Sequence, residues 1–397
     1  DVFKPSILDS SIFPSKNAGQ IIDIDNKEFI KYGSDKYRVV KIEPANLWKL
    51  GGGKTTQSMI DSGNKRRTYL TGSSDGFKWG GNFLRAPDIY FTILKKGGDK
   101  LVKLGDIADI TRGFTTGANE FFYLDEKDQE EWQIEDEFLK PVIKSPRECK
   151  SIVVNPNDLK YKVFICHRDK EELEGTNALK YIEWGEESEK DEKGNELKAF
   201  HTRPTCASRN KWWKLSIERI PKVFWVMTLR ERLGTFYNGG GILADARLYE
   251  VHSRDNLDVI TAVILNSIIT HLNVELIGRS YGGGGGPIDI KVYEVEFLQV
   301  LNPKKLISKR KILSDVLSNF RNKKIKNIFE ECGINKDADI YDPRTLEPLQ
   351  DPNPLPDRKK LDDIIFDELG LTEEERKEVY RAVCHLVKTR LEKAKSV

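Results

Sequence analysis

Apolar and polar positions alternate over short stretches through most of this chain, and helical spacing takes over only towards its end. QIIDID and YRVVKIEP, within the first 50 residues, alternate as strand pairs divided by Gly and Asn turns. LVKLGDIADI sets Leu101, Leu104, Ile107 and Ile110 along the apolar side of a half-buried strand or short helix. YKVFICHRD, from Tyr161, alternates as a strand, and a short helix follows over Lys170 to Leu179. PKVFWVMTLRERLGTFYN and GILADARLYEVH flank Gly239 to Gly241 in the manner of a hairpin, and PIDIKVYEVEFLQVL is a further strand.

DNLDVITAVILNSIITHLNVELIGRS has the spacing of one amphipathic helix capped by Asp255 or Asn256. From Pro303 apolar residues recur at helical intervals (Leu306, Ile307, Leu313, Leu317, Phe320, Ile325, Ile328) on a basic background running to Lys326, a helix that can touch phosphates. DPRTLEPLQDPNPLPD is a proline-rich linker that cannot be helical. Two helices close the chain, the first stopped by Gly370 and the second started by a Thr372/Glu375 capping box. These patterns predict an α+β protein: an N-terminal α/β segment over 1–98, a mixed β-rich domain over 99–302, and a helical C-terminal section over 303–397 with its linker at 336–358.

Composition narrows the picture. Charged residues are 32% of the 397, yet Lys plus Arg (65) barely exceed Asp plus Glu (63), so the net charge of +2 announces no polyanion binder. Contacts to nucleic acid must come from local clustering. Cys149, Cys166, Cys206, Cys332 and Cys384 show no CxxC spacing, which argues against a zinc site and a disulfide framework and for reduced thiols in the cytoplasm. No apolar run is long enough for a bilayer, and the start has no leader pattern, so the expectation is a soluble protein with no membrane partner. GGGK at Gly51 lacks the upstream glycine of a phosphate loop and reads as a flexible loop. The run Gly282 to Gly286 lies between a helix and a strand, the reverse of a dinucleotide cradle. His271 has no nucleophile in a recognisable setting beside it and is expected to be structural. No constellation for hydrolysis is present, and no acidic and lysine nuclease motif can be located.

Polar chemistry concentrates between Leu101 and Arg147. Gly113 and Gly117 bracket Thr115 and Thr116, and with Arg112 and Asn119 these are side chains suited to phosphate oxygens or base edges. The same residues equally suit a surface turn that satisfies only itself. The acidic EKDQEEWQIEDEF should face solvent or a protein partner, whereas FLKPVIKSPRE supplies Lys140, Lys144 and Arg147 for phosphate. FHTRPTCASRNKWWKL adds Arg203, Arg209 and Lys211 beside Trp212 and Trp213, rings expected to pack inside. Arg230, Arg232 and Arg247, on the expected hairpin, are further DNA candidates. In KWGGNFLRAPDIYFTILKK, Trp79, Tyr90 and Phe91 are expected to pack at a hinge marked by Pro87.

RGFTTGANEFF, FLKPVIKSPRE, TCASRNKWW and RSYGGGGGPIDIKVYEVEFLQV, in that order, resemble the target-recognition region of TaqI-like (gamma-class) N6-adenine DNA methyltransferases of restriction-modification systems. The resemblance runs from about Lys78 to the C-terminus. It implies a specificity region that binds duplex DNA, next to a catalytic domain or subunit that uses S-adenosylmethionine and grips a flipped adenine with an Asn-Pro-Pro-aromatic motif. That motif is missing here: NPND at Asn155 and DPNP at Asp351 read as turns, so neither catalytic nor cofactor-binding residues are expected in this chain. A protein-protein assembly module that docks the catalytic subunit is the alternative, separable from DNA binding by salt dependence.

Overall fold

The computed structural model describes Gly81 and residues 85–187, 199–217, 219–232, 234–280 and 286–395, together with the backbone of five strands between residues 19 and 71. Those strands are β1 (Gly19–Ile24), β2 (Lys27–Ser34), β3 (Tyr37–Lys41), β4 (Lys54–Gln57) and β5 (Thr68–Thr71). They form an antiparallel β1-β2-β3 sheet and a β4-β5 pair. Lys54 of GGGK therefore opens a strand, while Trp79, the charged stretch at 188–198, Tyr281 and the glycines at 282–285 lie outside the described residues.

LVKLGDIADI becomes both of the elements it allowed: β6 (Leu101–Lys103), one turn of helix over Leu104–Ile107, then β7 (Ala108–Arg112). Next come β8 (Tyr123–Leu124), β9 (Leu139–Ile143) and β10 (Tyr161–Phe164). The remaining strands are β11 (Val223–Val226), β12 (Thr228–Leu229), β13 (Thr235–Tyr237), β14 (Leu243–Ala244), β15 (Leu248–Ser253), β16 (Arg279–Ser280), β17 (Ile288–Asp289) and β18 (Gln299–Leu301). Two four-stranded sheets dominate, ordered β13-β11-β15-β7 and β14-β9-β10-β8. The expected hairpin around Gly239 to Gly241 is not formed. β11 turns back into β13 instead, and the glycine stretch carries the chain across to the other sheet, where β14 pairs parallel with β9. β11 is buried at all four positions, which a strand between two neighbours under a covering layer requires and an edge hairpin does not.

The long apolar stretch after Leu257 is two helices, Asp258–Leu265 and Ile268–Ile277, bent by 64° at Asn266 and Ser267. Ser267 accepts from the Thr270 amide as the second helix's cap, while its hydroxyl donates to the Ile264 carbonyl at 2.7 Å, so the break is encoded locally. The second helix is buried at every position, so it has no polar face to set against an apolar one. No single helix among the described residues is long and apolar enough to cross a membrane, and this bent pair lies inside the fold.

The backbone groups freed at the bend are taken up from far along the chain. Arg358 donates to the Asn266 carbonyl at 2.5 Å, and the Asp362 carboxylate accepts from the Ile268 amide at 2.8 Å. Both sit on the helix Pro356–Leu369, which Gly370 ends, and Thr372 and Glu375 then cap the final helix reciprocally, as expected. The basic segment after Pro303 is not one helix. It breaks into a 3-10 turn (Pro303–Lys309) and helices Arg310–Ser318 and Ile328–Cys332, with an extended stretch between.

The proline-rich segment is not a loose linker. Gln350 donates to the carbonyls of Asn335, Ala338 and Asp339, Asp351 pairs with Lys377 and Arg381, and 356–358 already belong to a helix.

The interior is organised as two buried clusters. The larger runs from Ala86 through the β11 sheet and the bent helix pair to Val387, crossing position 303 without a break. Tyr90 and Phe91 belong to it, as expected of them. The smaller is aromatic and draws on 118–215 and Leu243, with Phe121 stacked 4.6 Å from Tyr181 and tilted 4.6 Å from Trp212. Trp212 and Trp213 are buried there, so neither is free to stack on a base.

Candidate nucleic-acid interface

The site lies where the two sheets meet. β7 pairs antiparallel with β15, and beyond Arg112 the chain stays zipped to the turn before β15: Gly113 donates to the Leu248 carbonyl at 3.0 Å and Phe114 to Ala244 at 3.2 Å. A Cβ on Gly113 would stand 2.5 Å from the Ala244 and Asp245 carbonyl oxygens, so only glycine permits this approach. The loop that follows is held from behind. The Arg209 guanidinium donates to the carbonyls of Thr115 (2.9 Å), Thr116 (2.6 Å) and Trp212 (3.2 Å), and its charge stacks 5.4 Å above the Phe122 ring. Gly117, in the left-handed region at φ 79°, packs against Thr205.

The expected contact residues therefore divide. Thr116 is 1% exposed, its hydroxyl donating to the Asn119 side-chain oxygen and accepting from the Ala118 amide at 3.3 Å, so it shapes the loop from inside. Arg209 is committed to backbone carbonyls. Thr115, Asn119 and Arg112 remain on the surface, Arg112 steered by its own bond to the Ala246 carbonyl at 2.7 Å. Asn119 has its oxygen engaged, which leaves the amide nitrogen as the group it presents.

The turn at 244–247 stands beside this loop through the Phe114–Asp245 bridge. Asp245 accepts from the Tyr123 hydroxyl at 2.5 Å and from the Arg247 amide at 3.0 Å, and the Arg247 side chain is 63% exposed. Burial, then the Asp245 bond, push the Tyr123 hydroxyl well above its ordinary value, so it stays a protonated donor. Lys144 lies 5.1 Å from the Tyr123 ring and 4.0 Å from that of Tyr161, its charge held over two aromatic faces. Glu120 ion-pairs with Arg203 at 2.8 Å. Burial alone would raise the Glu120 carboxyl, but its backbone amide, Arg203 and Lys144 outweigh that and hold it below the usual glutamate value. Lys211 is ion-paired with Asp169.

The fold thus brings Arg112, Thr115, Asn119, Lys144 and Arg247 to one face, with Arg203 reaching it through Glu120. Lys140 instead lines a separate groove of about 390 Å³ with Arg168, Arg219 and His167. Arg147 is exposed on the turn Pro146–Glu148, Arg230 follows β12 in a different sheet, and Arg232 is half-buried, donating to the Cys149 carbonyl. Sequence reasoning missed Asp245, Tyr123 and Tyr161, the supports of the face. Nothing in their local wording marks them, since their role comes from register between strands distant in the chain.

Neither motif-like string fits S-adenosylmethionine or a flipped base. The Asn155 side chain is spent accepting from the Asn157 amide at 3.1 Å, and the Asp351 carboxylate is ion-paired. Among the described residues no group of His, Cys, Asp and Glu could hold a metal ion, and all five cysteines are buried and unbridged.

The family model that describes the C-terminal domain of the type II methyltransferase M.Eco57I matches residues 77–334. No curated protein matches. Among solved structures, the chain is similar to the type IIG restriction endonuclease BpuSI, with 13% identity and a TM-score of 0.50 over 74% of this chain and 32% of that one. It is also similar to the type IIL restriction-modification enzyme MmeI, solved in complex with DNA, at 14% identity and a TM-score of 0.42, over 87% of this chain and 42% of that one. This chain thus spans less than half the length of either protein.

Proposed function

The chain belongs to the family of the M.Eco57I C-terminal domain, and on that premise we propose that it is the DNA-recognition part of a restriction-modification methyltransferase. Its face at 112–119 and 244–247 meets duplex DNA, with Arg112 and Asn119 at base edges, Thr115 beside them, and Lys144, Arg203 and Arg247 on phosphates. The observation that carries this reading is the clamp behind the loop. Arg209, Thr116 and Gly117 fix the backbone so that the outward side chains are presented without a further ordering cost, which is what a discriminating contact needs.

In the finer form of the proposal, the parent enzyme is gamma-class and TaqI-like and methylates adenine at N6. S-adenosylmethionine supplies the methyl group in a catalytic domain or subunit that partners this one, and this chain contributes no catalytic residue. Lys140, Arg147 and Arg230 lie outside the central face and act, if on DNA, at its margins.

A salt series tests the reading. Fluorescence anisotropy on mixed-sequence duplexes should show the logarithm of affinity falling linearly with the logarithm of salt, with a slope that Lys144→Ala makes shallower by about one. Binding to a methyltransferase subunit that is insensitive to salt, with no binding to duplexes, would establish the assembly-module alternative instead.

A further inference from the structure

A second cationic surface continues from the first, and the sequence separates its halves by more than 150 residues. The stretch after Phe320 runs beside the one after Arg147: Ser151 and Lys324 form an antiparallel bridge, and the Ile325 amide donates to the Lys150 carbonyl at 2.9 Å. Lys150 and Lys324 therefore stand on adjacent extended segments, with Arg147 at one end and Arg321 at the other, all exposed. The link to the loop face is Tyr161, whose ring lies 4.0 Å from Lys144 and 5.0 Å from Lys160.

Acidic groups offset only part of this charge. Burial raises the Glu148 carboxyl against the backbone donors and Lys144 around it. Asp158 is bonded to Lys150 at 3.1 Å, Glu330 is near Lys326 at 3.8 Å, Asp357 pairs with Lys323, and Asp125 lies near Lys160. Among the described residues, Arg147, Arg321 and Lys324 have no ion-pair partner.

We propose that this band, formed by Lys150 and Lys160 with Arg321 and Lys324, is a sequence-blind phosphate track for the same duplex that the loop face reads, extending the contact onto the C-terminal section. The inference rests on the DNA-recognition reading above. Exposed cations on a firmly hydrogen-bonded backbone, contiguous with a base-reading face, suit a polyanion that passes along both. A track of this kind adds affinity and positions the duplex while leaving sequence choice to the loop.

The test is anisotropy with the full chain on duplexes of increasing length, comparing the unaltered protein, the double variant Lys150→Ala/Lys324→Ala, and Asp158→Asn. The unaltered protein should gain affinity up to a longer duplex than the double variant does. The double variant should lose about tenfold on long duplexes, with a salt slope shallower by about two and an unchanged preference among sequences. Asp158→Asn, which removes a competing anion and keeps the lysine, should bind more tightly. A double variant with unaltered affinity, slope and length dependence overturns the track while leaving the loop reading intact. Failure of the unaltered protein to bind any duplex overturns both. Displacement of long duplex by polyglutamate at equal charge concentration overturns the assignment to DNA in favour of an acidic protein.

Discussion

Arg209 shows how a side chain suited to phosphate can be spent inside the protein. Its guanidinium spans three carbonyls, and charge-assisted hydrogen bonds of this kind are worth about 1.5–3 kcal/mol. Arg209→Met should therefore lower stability by about 2 kcal/mol in a denaturant titration. It should also speed amide exchange over 113–118 and weaken DNA binding without Arg209 touching DNA. If binding is lost while exchange and stability stay unchanged, Arg209 contacts DNA itself. The sequence showed that Arg, Thr and Asn gather here, but not which of them face inward. Thr115 and Thr116 are neighbours of identical chemistry, and only the fold's packing, with Cys206 beneath, buries one and exposes the other.

At the scale of elements, the loop keeps its shape because the chain reverses sharply at Gly117. An alanine there would hold φ at 79° with its Cβ 2.6 Å from that of Thr205. Gly117→Ala should cost about 1–3 kcal/mol and broaden selectivity among duplexes, both measurable on the same preparation. Unchanged stability and selectivity would show that the loop adapts. Elements specified by their own residues were readable beforehand: the strand from Tyr161, the stop at Gly370 and the Thr372/Glu375 cap depend on contacts only a few positions away. Partnerships were not. β14 pairs with β9, about a hundred residues earlier, and the apolar run after Leu257 bends because Ser267 caps a new helix and Arg358 and Asp362 satisfy the break. Composition marked that run as helical but could not show that it is covered on every side.

On the scale of the whole molecule, the C-terminal helices belong to the same core as the β11 sheet. Arg390 reaches back to Glu275 at 2.9 and 3.0 Å and to the carbonyls of Arg230 and Gly286 at 2.6 and 2.5 Å. Removing one member of a buried pair typically costs about 3–5 kcal/mol, and Glu275→Ala should show a loss of that size in thermal or chemical melts. Burial would raise the Glu275 carboxyl, but the His271 ring 3.5 Å away and the hydrogen bonds and charge of Arg390 hold it below the ordinary value. Its contribution is present above the unfolded glutamate pKa and is lost as pH falls through the lower folded value. The unaltered protein should therefore lose stability more steeply than Glu275→Gln on acidification below about pH 4.5. Parallel curves would contradict this. A fragment ending at residue 334, the limit of the family match, would lose Leu361, Ile365, Val383 and Val387 and so bare the part of the shared core they pack against. It should show no cooperative melt, whereas two separable transitions in the full chain would argue for an independent C-terminal module.

The central claim, that the face carrying Arg112 and Asn119 selects among DNA sequences, is tested most directly by selection from a randomised duplex library, followed by sequencing of the bound fraction, for the unaltered protein and for Arg112→Ala. The account predicts an enriched sequence for the unaltered protein that loses information at about one base pair in the variant, while overall affinity falls only modestly. An identical enriched sequence from both proteins, or none from either, would contradict it.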